Sequence, residues 1–154
     1  MTSMISVLVI GIGNEFRCDD GAGLRVVREL AARNLPGVVV WEGQGLVGDW
    51  QGFARVYLVD AVSSGAPPGT VHRLDGHRDR IEPEMFRTST HALGVAEVVE
   101  LARQIGGLPE VLVIYGIEGK NFSAGNYLTP EVARAVRELT NTLVREISSE
   151  PLPP

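Results

Sequence analysis

Two carboxylates and one imidazole, widely separated in this chain, are candidates for binding a divalent metal ion. Asp20 follows a glycine-rich turn, Asp60 comes at the end of an apolar run, and His91 opens a segment with helical periodicity. Two carboxylate oxygens and one imidazole nitrogen suit borderline ions such as nickel, zinc, manganese or iron(II). Three protein ligands leave coordination positions open for a substrate or a water molecule. Spacing along the chain does not by itself show that the three side chains converge.

Each candidate also has a purely structural explanation. Asp19 or Asp20 could cap a helix, since acids are favoured in the first helical turn. Asp60 could form an Asx turn into the loop that follows it. His91 could be a polar surface residue at the start of a helix. The other two histidines, His72 and His77, are less promising, because we expect them in or beside an edge strand and a charged loop, away from the strand ends.

The glycine turn at residues 11–14 allows a nucleotide-binding alternative. It resembles a dinucleotide-binding fingerprint, but Phe16 stands where that motif requires its third glycine. The acids at Asp19 and Asp20 would also repel a phosphate placed at the helix start. These residues therefore disfavour a nucleotide-binding module.

Nucleophilic catalysis finds little support in the sequence. Cys18 is the sole cysteine, so the chain has no internal disulfide, and it directly precedes two acids that oppose thiolate formation. A G-x-S-x-G nucleophile elbow is absent from the sequence. Neither a cysteine nor a serine nucleophile is indicated.

The elements that must position the candidate residues alternate between strands and helices. Continuous apolar runs predict buried strands at residues 7–10, 38–41, 56–59 and 111–115, and a short edge strand is predicted at 70–74. Apolar periodicity predicts helices at residues 20–34, 91–105 and from 129 to about 147, with a further short helix at 47–53. The pattern predicts a three-layer α/β fold, with a mainly parallel twisted sheet of about five strands and helices on both faces.

This topology predicts where the candidate residues would meet. Parallel strands end at the same edge of a sheet, where ligands bind in open α/β folds. We therefore expect Gly11, Asp60 and Gly116 at that edge, with the helix starts that carry Asp20 and His91 facing it.

The sequence predicts one domain and one tail. Residues 1–147 form a single α/β domain in this interpretation, and residues 148–154 form a loose C-terminal tail. The aperiodic, charged segment 75–87 is predicted to be a surface loop.

Composition narrows the class of protein further. The chain has 154 residues, of which 44% are hydrophobic, and its formal net charge is -5. An acidic chain disfavours binding to a nucleic-acid backbone, which requires a basic surface. Since the sequence shows neither a signal peptide nor a membrane-length apolar run, we expect a cytoplasmic protein with no membrane partner.

Taken together, the motifs resemble the hydrogenase maturation endopeptidases, which trim the C-terminal extension from the large subunit of a nickel-iron hydrogenase. The resemblance rests on four segments, at residues 11–14, 19–23, 59–61 and 91–94, which read GIGN, DDGAG, VDA and HALG. Weaker matches follow at Gly116-Ile117, at Gly125 and at residues 128–132. The order and spacing of these pieces are more specific than any one of them.

The resemblance implies a function and a role for each candidate residue. Asp20, Asp60 and His91 would form the catalytic site that recognises nickel, and the nickel would arrive already bound in the hydrogenase large-subunit precursor. The protein would need no organic cofactor, and we expect it to be a monomer. The alternative is a nickel-checking chaperone that binds the precursor without cutting it.

Departures from the family pattern leave the client hydrogenase open. Glu15 stands where an apolar residue is expected, which adds a second acid candidate near the site. Gly119 replaces a common proline, and residues 42–46 lack the usual glycine-threonine pair.

Overall fold

The computed structural model describes residues 6–43, 50–86 and 94–149. The strands in these ranges are β1 (Val7–Gly11), β2 (Val38–Glu42), β3 (Arg55–Val62), β4 (Val71–Asp75) and β5 (Val111–Glu118). The α-helices in the same ranges are α1 (Ala22–Ala31), α2 (Val95–Gln104) and α3 (Pro130–Ser149), and two 3₁₀ turns occupy Cys18–Gly21 and Pro83–Phe86.

The strands form one twisted sheet in the order β2-β1-β3-β5-β4. The first four strands in this order are mutually parallel, and β4 pairs antiparallel with β5 at the edge. The inner strands β1 and β3 are buried along their whole length. Such strands read as continuous apolar runs because helices cover both faces of the sheet. The predicted α/β architecture is confirmed.

Two hydrophobic clusters hold the layers together, one on each face of the sheet. Tyr57 and Val59 of β3 pack with α1 and α3 on one face. Val56 and Leu58, which alternate with them along the strand, pack with α2 and Trp50 on the other. Burial of each large apolar side chain stabilises the fold by about 1.5–3 kcal/mol relative to leaving it exposed.

Strands β3 and β5 are longer than the sequence predicted, and this changes the place of Asp60. The residue was expected just beyond a strand, but it lies within β3, directly opposite Gly116 of β5. Pairing continues to Val62 and Glu118 because apolar residues follow Asp60 and return to the core.

Helix boundaries also differ from the prediction. The first helix begins at Ala22 instead of residue 20, because the preceding residues form the tighter 3₁₀ turn Cys18–Gly21. It stops at Ala31, before Asn34 takes a positive φ of 51°. Helix α3 runs to Ser149, into the predicted tail, and residues 150–154 lie outside the described ranges.

The segment predicted as a charged surface loop is partly built into the core. It contains the 3₁₀ turn Pro83–Phe86, and the side chains of Ile81 and Phe86 pack against the α2 face of the sheet. The predicted short helix at 47–53 was wrong where the structure describes it: residues 50–52 form a turn, and Gly52 takes a positive φ of 90° that a helix does not allow. Residues 47–49 lie outside the described residues. Across residues 6–43, 50–86 and 94–149, no helix is both long and apolar enough to cross a membrane.

Candidate active site

Three glycines allow the turn after β1 to press helix α1 against the carboxyl end of the sheet. A Cβ atom on Gly23 would lie 2.3 Å from the carbonyl oxygen of Val59, and one on Gly11 would lie 2.4 Å from that of Gly23. Gly13 has a φ of 145°, and its Cβ would lie 2.0 Å from the carbonyl oxygen of Asp20. A side chain at any of these positions would overlap neighbouring backbone, and at Gly23 it would push helix α1 away from β3.

The two neighbouring acids of the turn have different surroundings. The carboxylate of Asp19 accepts hydrogen bonds from the backbone N–H groups of Lys120, Asn121 and Thr129 and from the Thr129 hydroxyl, at 2.8–2.9 Å. Asp19 therefore anchors the loop between β5 and α3, and its role is structural.

Asp20 is fully buried and does not cap the helix. The N-cap position of α1 is Gly21, and Oδ2 of Asp20 instead accepts the backbone N–H of Asn14 at 3.0 Å. The carboxylate thus faces back into the glycine turn. The capping explanation for Asp20 is wrong, because the 3₁₀ turn displaces the helix start beyond it.

Asp60 is a buried acid beside another acid. Its Oδ1 accepts the N–H of Ala61 at 2.8 Å, and its exposed fraction is 2%. Burial raises the pKa of Asp60 well above its usual value, the negative charge of Asp20 raises it further, and the Ala61 N–H opposes both effects. Because the backbone of Asp60 stays in the strand, no Asx turn forms there.

The structure therefore brings together two of the three predicted site residues. His91 lies outside the described residues, so its approach to Asp20 and Asp60 stays a prediction. The described chain resumes at Gly94, whose N–H donates to the carboxylate of Glu97 at the start of α2. Within the described part of the chain, no group of three His, Cys, Asp or Glu side chains is arranged to hold a metal ion.

A second polar cluster at this edge was missed by the sequence analysis. His72 lies in the edge strand, as predicted, but the expectation that it lies away from the strand ends was wrong. Strand β4 runs antiparallel, so its first residues lie at the carboxyl edge, and His72 is opposite Gly116. Its Nε2 lies 3.1 Å from Oε1 of Glu118. Glu118 also accepts the N–H and the hydroxyl of Ser64, at 2.7 and 2.6 Å.

Glu118 accepts more hydrogen bonds from the described residues than Asp60 does, and its pKa shifts in the opposite direction. Burial alone would raise the pKa of Glu118, but the hydrogen bonds from Ser64 and His72 lower it below its ordinary value. An acid after an apolar run is the same signal that singled out Asp60, so Glu118 could have been found. His77 lies at the opposite edge, with Nε2 2.7 Å from the carbonyl oxygen of Pro109, as expected for a residue away from the site.

A match to a family of known proteins identifies the family of this chain. The HycI model of the hydrogenase maturation proteases matches residues 24–146. The chain belongs to the hydrogenase maturation protease family. The predicted resemblance is confirmed.

Individual relatives of this maturation protease agree with the family match. Hydrogenase 2 maturation protease of Escherichia coli is 31% identical over 159 residues, a match that covers 96% of this chain and 95% of that protein. Hydrogenase expression/formation protein HoxM of Cupriavidus necator is 32% identical over 121 residues, covering 73% of this chain and 58% of that protein.

Solved structures show the same fold. The hydrogenase 2 maturation peptidase of a Thaumarchaeota archaeon has a TM-score of 0.71 and 27% identity, and the match covers 94% of this chain and 99% of that one. The hydrogenase maturating endopeptidase HybD of Escherichia coli has a TM-score of 0.70 and 25% identity, with 94% of each chain covered.

In this maturation protease, the additional acid Glu15 is engaged in a surface ion pair. Arg28 of α1 donates to Glu15 at 3.1 Å and to Glu42 at 2.8 Å, and all three side chains are well exposed. Hydrogen bonding to Arg28 lowers the pKa of Glu15. The charge of Glu15 is thus partly balanced, which separates it from the buried acids.

Proposed function

We propose that this maturation protease removes the C-terminal extension of a nickel-loaded hydrogenase large-subunit precursor by a single peptide cut. Asp20, Asp60 and His91 recognise the nickel of that substrate. One observation carries the proposal: Asp20 and Asp60 are both buried at the carboxyl edge of the sheet, close enough for the charge of Asp20 to raise the pKa of Asp60. Like charges in a buried site disfavour ionisation, and a cation between them removes that penalty.

The nickel in this proposal belongs to the substrate, which explains how the enzyme distinguishes loaded from empty precursor. A loaded precursor supplies the positive charge that lets Asp60 ionise next to Asp20. An empty precursor lacks that charge, so this electrostatic contribution to its binding is absent and it binds more weakly. The enzyme thereby commits to the cut only after the metal has been inserted.

The chemistry of the cut requires water activation next to the acid pair. Nickel held by the carboxylates would polarise the scissile carbonyl or a water molecule. A carboxylate of the site would accept the proton that the attacking water loses. The glycine turn holds Asp20 against β3, so the position of the acid is set before the substrate arrives.

The decisive experiment compares nickel-loaded with nickel-free precursor. We expect the purified protein to reduce the intact mass of the loaded precursor by the mass of its extension and to leave the empty precursor unchanged. Equal trimming of both precursors would contradict nickel recognition. A stable complex on size-exclusion chromatography without a mass change would favour the chaperone alternative.

Variants of the site test the residue assignments in the same assay. Asp20→Asn and His91→Ala should stay folded and fail to trim the loaded precursor. Glu138→Gln, on the exposed side of α3, and His77→Ala serve as matched controls and should trim at the wild-type rate. Normal trimming by His91→Ala would remove that residue from the proposed site.

A further inference from the structure

Two large aromatic side chains are exposed in the turn that carries Asp20 and in the loop that Asp19 anchors. Phe16 has an exposed fraction of 67% and Tyr127 one of 56%. Phe16 precedes Asp20 in the turn after β1, and Tyr127 lies in the loop that Asp19 anchors through Thr129. We call these two residues the aromatic rim.

The backbone of Gly125 holds the two halves of the aromatic rim together. The Gly125 N–H donates to the carbonyl oxygen of Phe16 at 2.9 Å, and its carbonyl oxygen accepts the N–H of Cys18 at 2.8 Å. A ring carbon of Tyr127 lies 3.4 Å from the position that a Cβ on Gly125 would take. Phe16 and Tyr127 therefore flank one short stretch of backbone.

The rim is built on a rigid support. The N–H of Phe16 donates to the side chain of Asn14 at 2.9 Å, and the hydroxyl of Tyr127 accepts a hydrogen bond from Asn121 at 3.1 Å. Arg25 of α1 donates to the carbonyl oxygen of Asn126 at 3.1 Å. Aromatic side chains on fixed backbone lose little conformational entropy when they are covered, which makes them effective binding anchors.

We propose that the aromatic rim is the docking surface for apolar side chains of the hydrogenase precursor next to the scissile bond. The inference rests on the proposed function. Continuity with the acid pair selects this occupant, because Phe16 lies in the same turn as Asp20 and Tyr127 in the loop that Asp19 holds. A protein chain that brings a metal to Asp20 must cover this turn, and the rim gives it apolar area to bury.

Trimming kinetics on nickel-loaded precursor test the docking role. Phe16→Ser and Tyr127→Ser should each raise KM about tenfold, as expected for an aromatic binding anchor, and leave kcat unchanged. Ile105→Ser is the matched control, because Ile105 has an exposed fraction of 64% at the far end of α2. Its KM should equal that of the wild type.

Two conservative variants test whether the apolar area of the rim is what sets KM. Phe16→Leu and Tyr127→Phe keep most of the apolar area and should retain a KM near the wild-type value, although Tyr127→Phe loses the hydrogen bond with Asn121. Circular dichroism checks that every variant is folded.

Several outcomes would overturn the docking role while leaving the proposed function intact. An unchanged KM for both serine variants, with normal trimming by the wild type, would do so. A loss of kcat alone would do so as well. Conversion of a dimer to a monomer by Phe16→Ser, with KM unchanged, would assign the rim to a second copy of this chain. Failure of the wild type to trim would instead overturn the proposed function.

Discussion

Asp60 and Glu118 lie on neighbouring strands at the same edge of the sheet, and each has an exposed fraction of 2%, yet their pKa values are shifted in opposite directions. The pKa of Asp60 is raised, by burial and by the charge of Asp20. The pKa of Glu118 is lowered, despite its burial, by donors from Ser64 and His72.

The difference shows what a buried carboxylate needs in order to be a structural group. Glu118 receives hydrogen bonds that compensate its charge, and in return it ties the loop after β3 to strands β4 and β5. Asp60 faces a like charge, which a structural acid would avoid. An acid held at such a cost is typical of a binding or catalytic site.

The glycine turn holds Asp20 close to Asp60. Adding a side chain to a glycine of this turn should therefore have the largest effect on stability. Gly13→Ala places a Cβ 2.0 Å from the carbonyl oxygen of Asp20 at a φ of 145°. We expect the free energy of unfolding to fall by about 3 kcal/mol or more, from steric overlap and backbone strain together. Urea denaturation measures this change.

Gly43→Ala is the matched control for that experiment. Among the described residues, a Cβ on Gly43 meets nothing within 4 Å, so the free energy of unfolding of Gly43→Ala should stay within about 0.5 kcal/mol of the wild type. Similar losses for both variants would show that the turn has no special packing role.

Removing the charge of the satisfied acid should destabilise the protein at neutral pH. Glu118→Gln loses charge-assisted hydrogen bonds from Ser64 and His72, at a cost of about 1.5–3 kcal/mol. A lowered folded-state pKa contributes stability above the unfolded value of 4.5, and this contribution is lost as pH falls through the folded pKa. The difference in free energy of unfolding between Glu118→Gln and the wild type should therefore be larger at pH 7 than at pH 4.

The same change at Asp60, whose pKa is raised, should have the opposite effect on stability. Asp60→Asn keeps an oxygen for the Ala61 N–H and removes the buried charge, so we expect a gain of about 1–3 kcal/mol at pH 8. The folded-state pKa of Asp60 is raised above its unfolded value of 3.8. The stability that Asp60 contributes is therefore fully present below pH 3.8, and it is lost as pH rises through the folded-state pKa. The advantage of the variant should shrink as pH falls, and a destabilised variant at pH 8 would contradict the comparison.

Sequence patterns predicted the layers of this fold well, because apolar runs and helical periodicity report burial directly. They placed Asp60 beyond its strand because a polar residue interrupts the apolar run, whereas backbone pairing with Gly116 continues through it. They misplaced His72 relative to the strand ends, because a short run of residues does not show whether an edge strand is parallel or antiparallel to its neighbour.

The separate roles of Asp19 and Asp20 could not be predicted at all. The two acids are adjacent and identical in type, and only the fold decides which one meets the N–H groups of the loop after β5. Distant backbone donors are invisible in a local sequence pattern.

The trimming rate of Asp60→Asn on nickel-loaded precursor tests the central claim most directly. If Asp60 is kept at the expense of stability in order to meet the nickel of the substrate, the variant should unfold at a higher urea concentration than the wild type and leave the precursor mass unchanged. A stable Asp60→Asn variant that trims the loaded precursor at the wild-type rate would contradict this account.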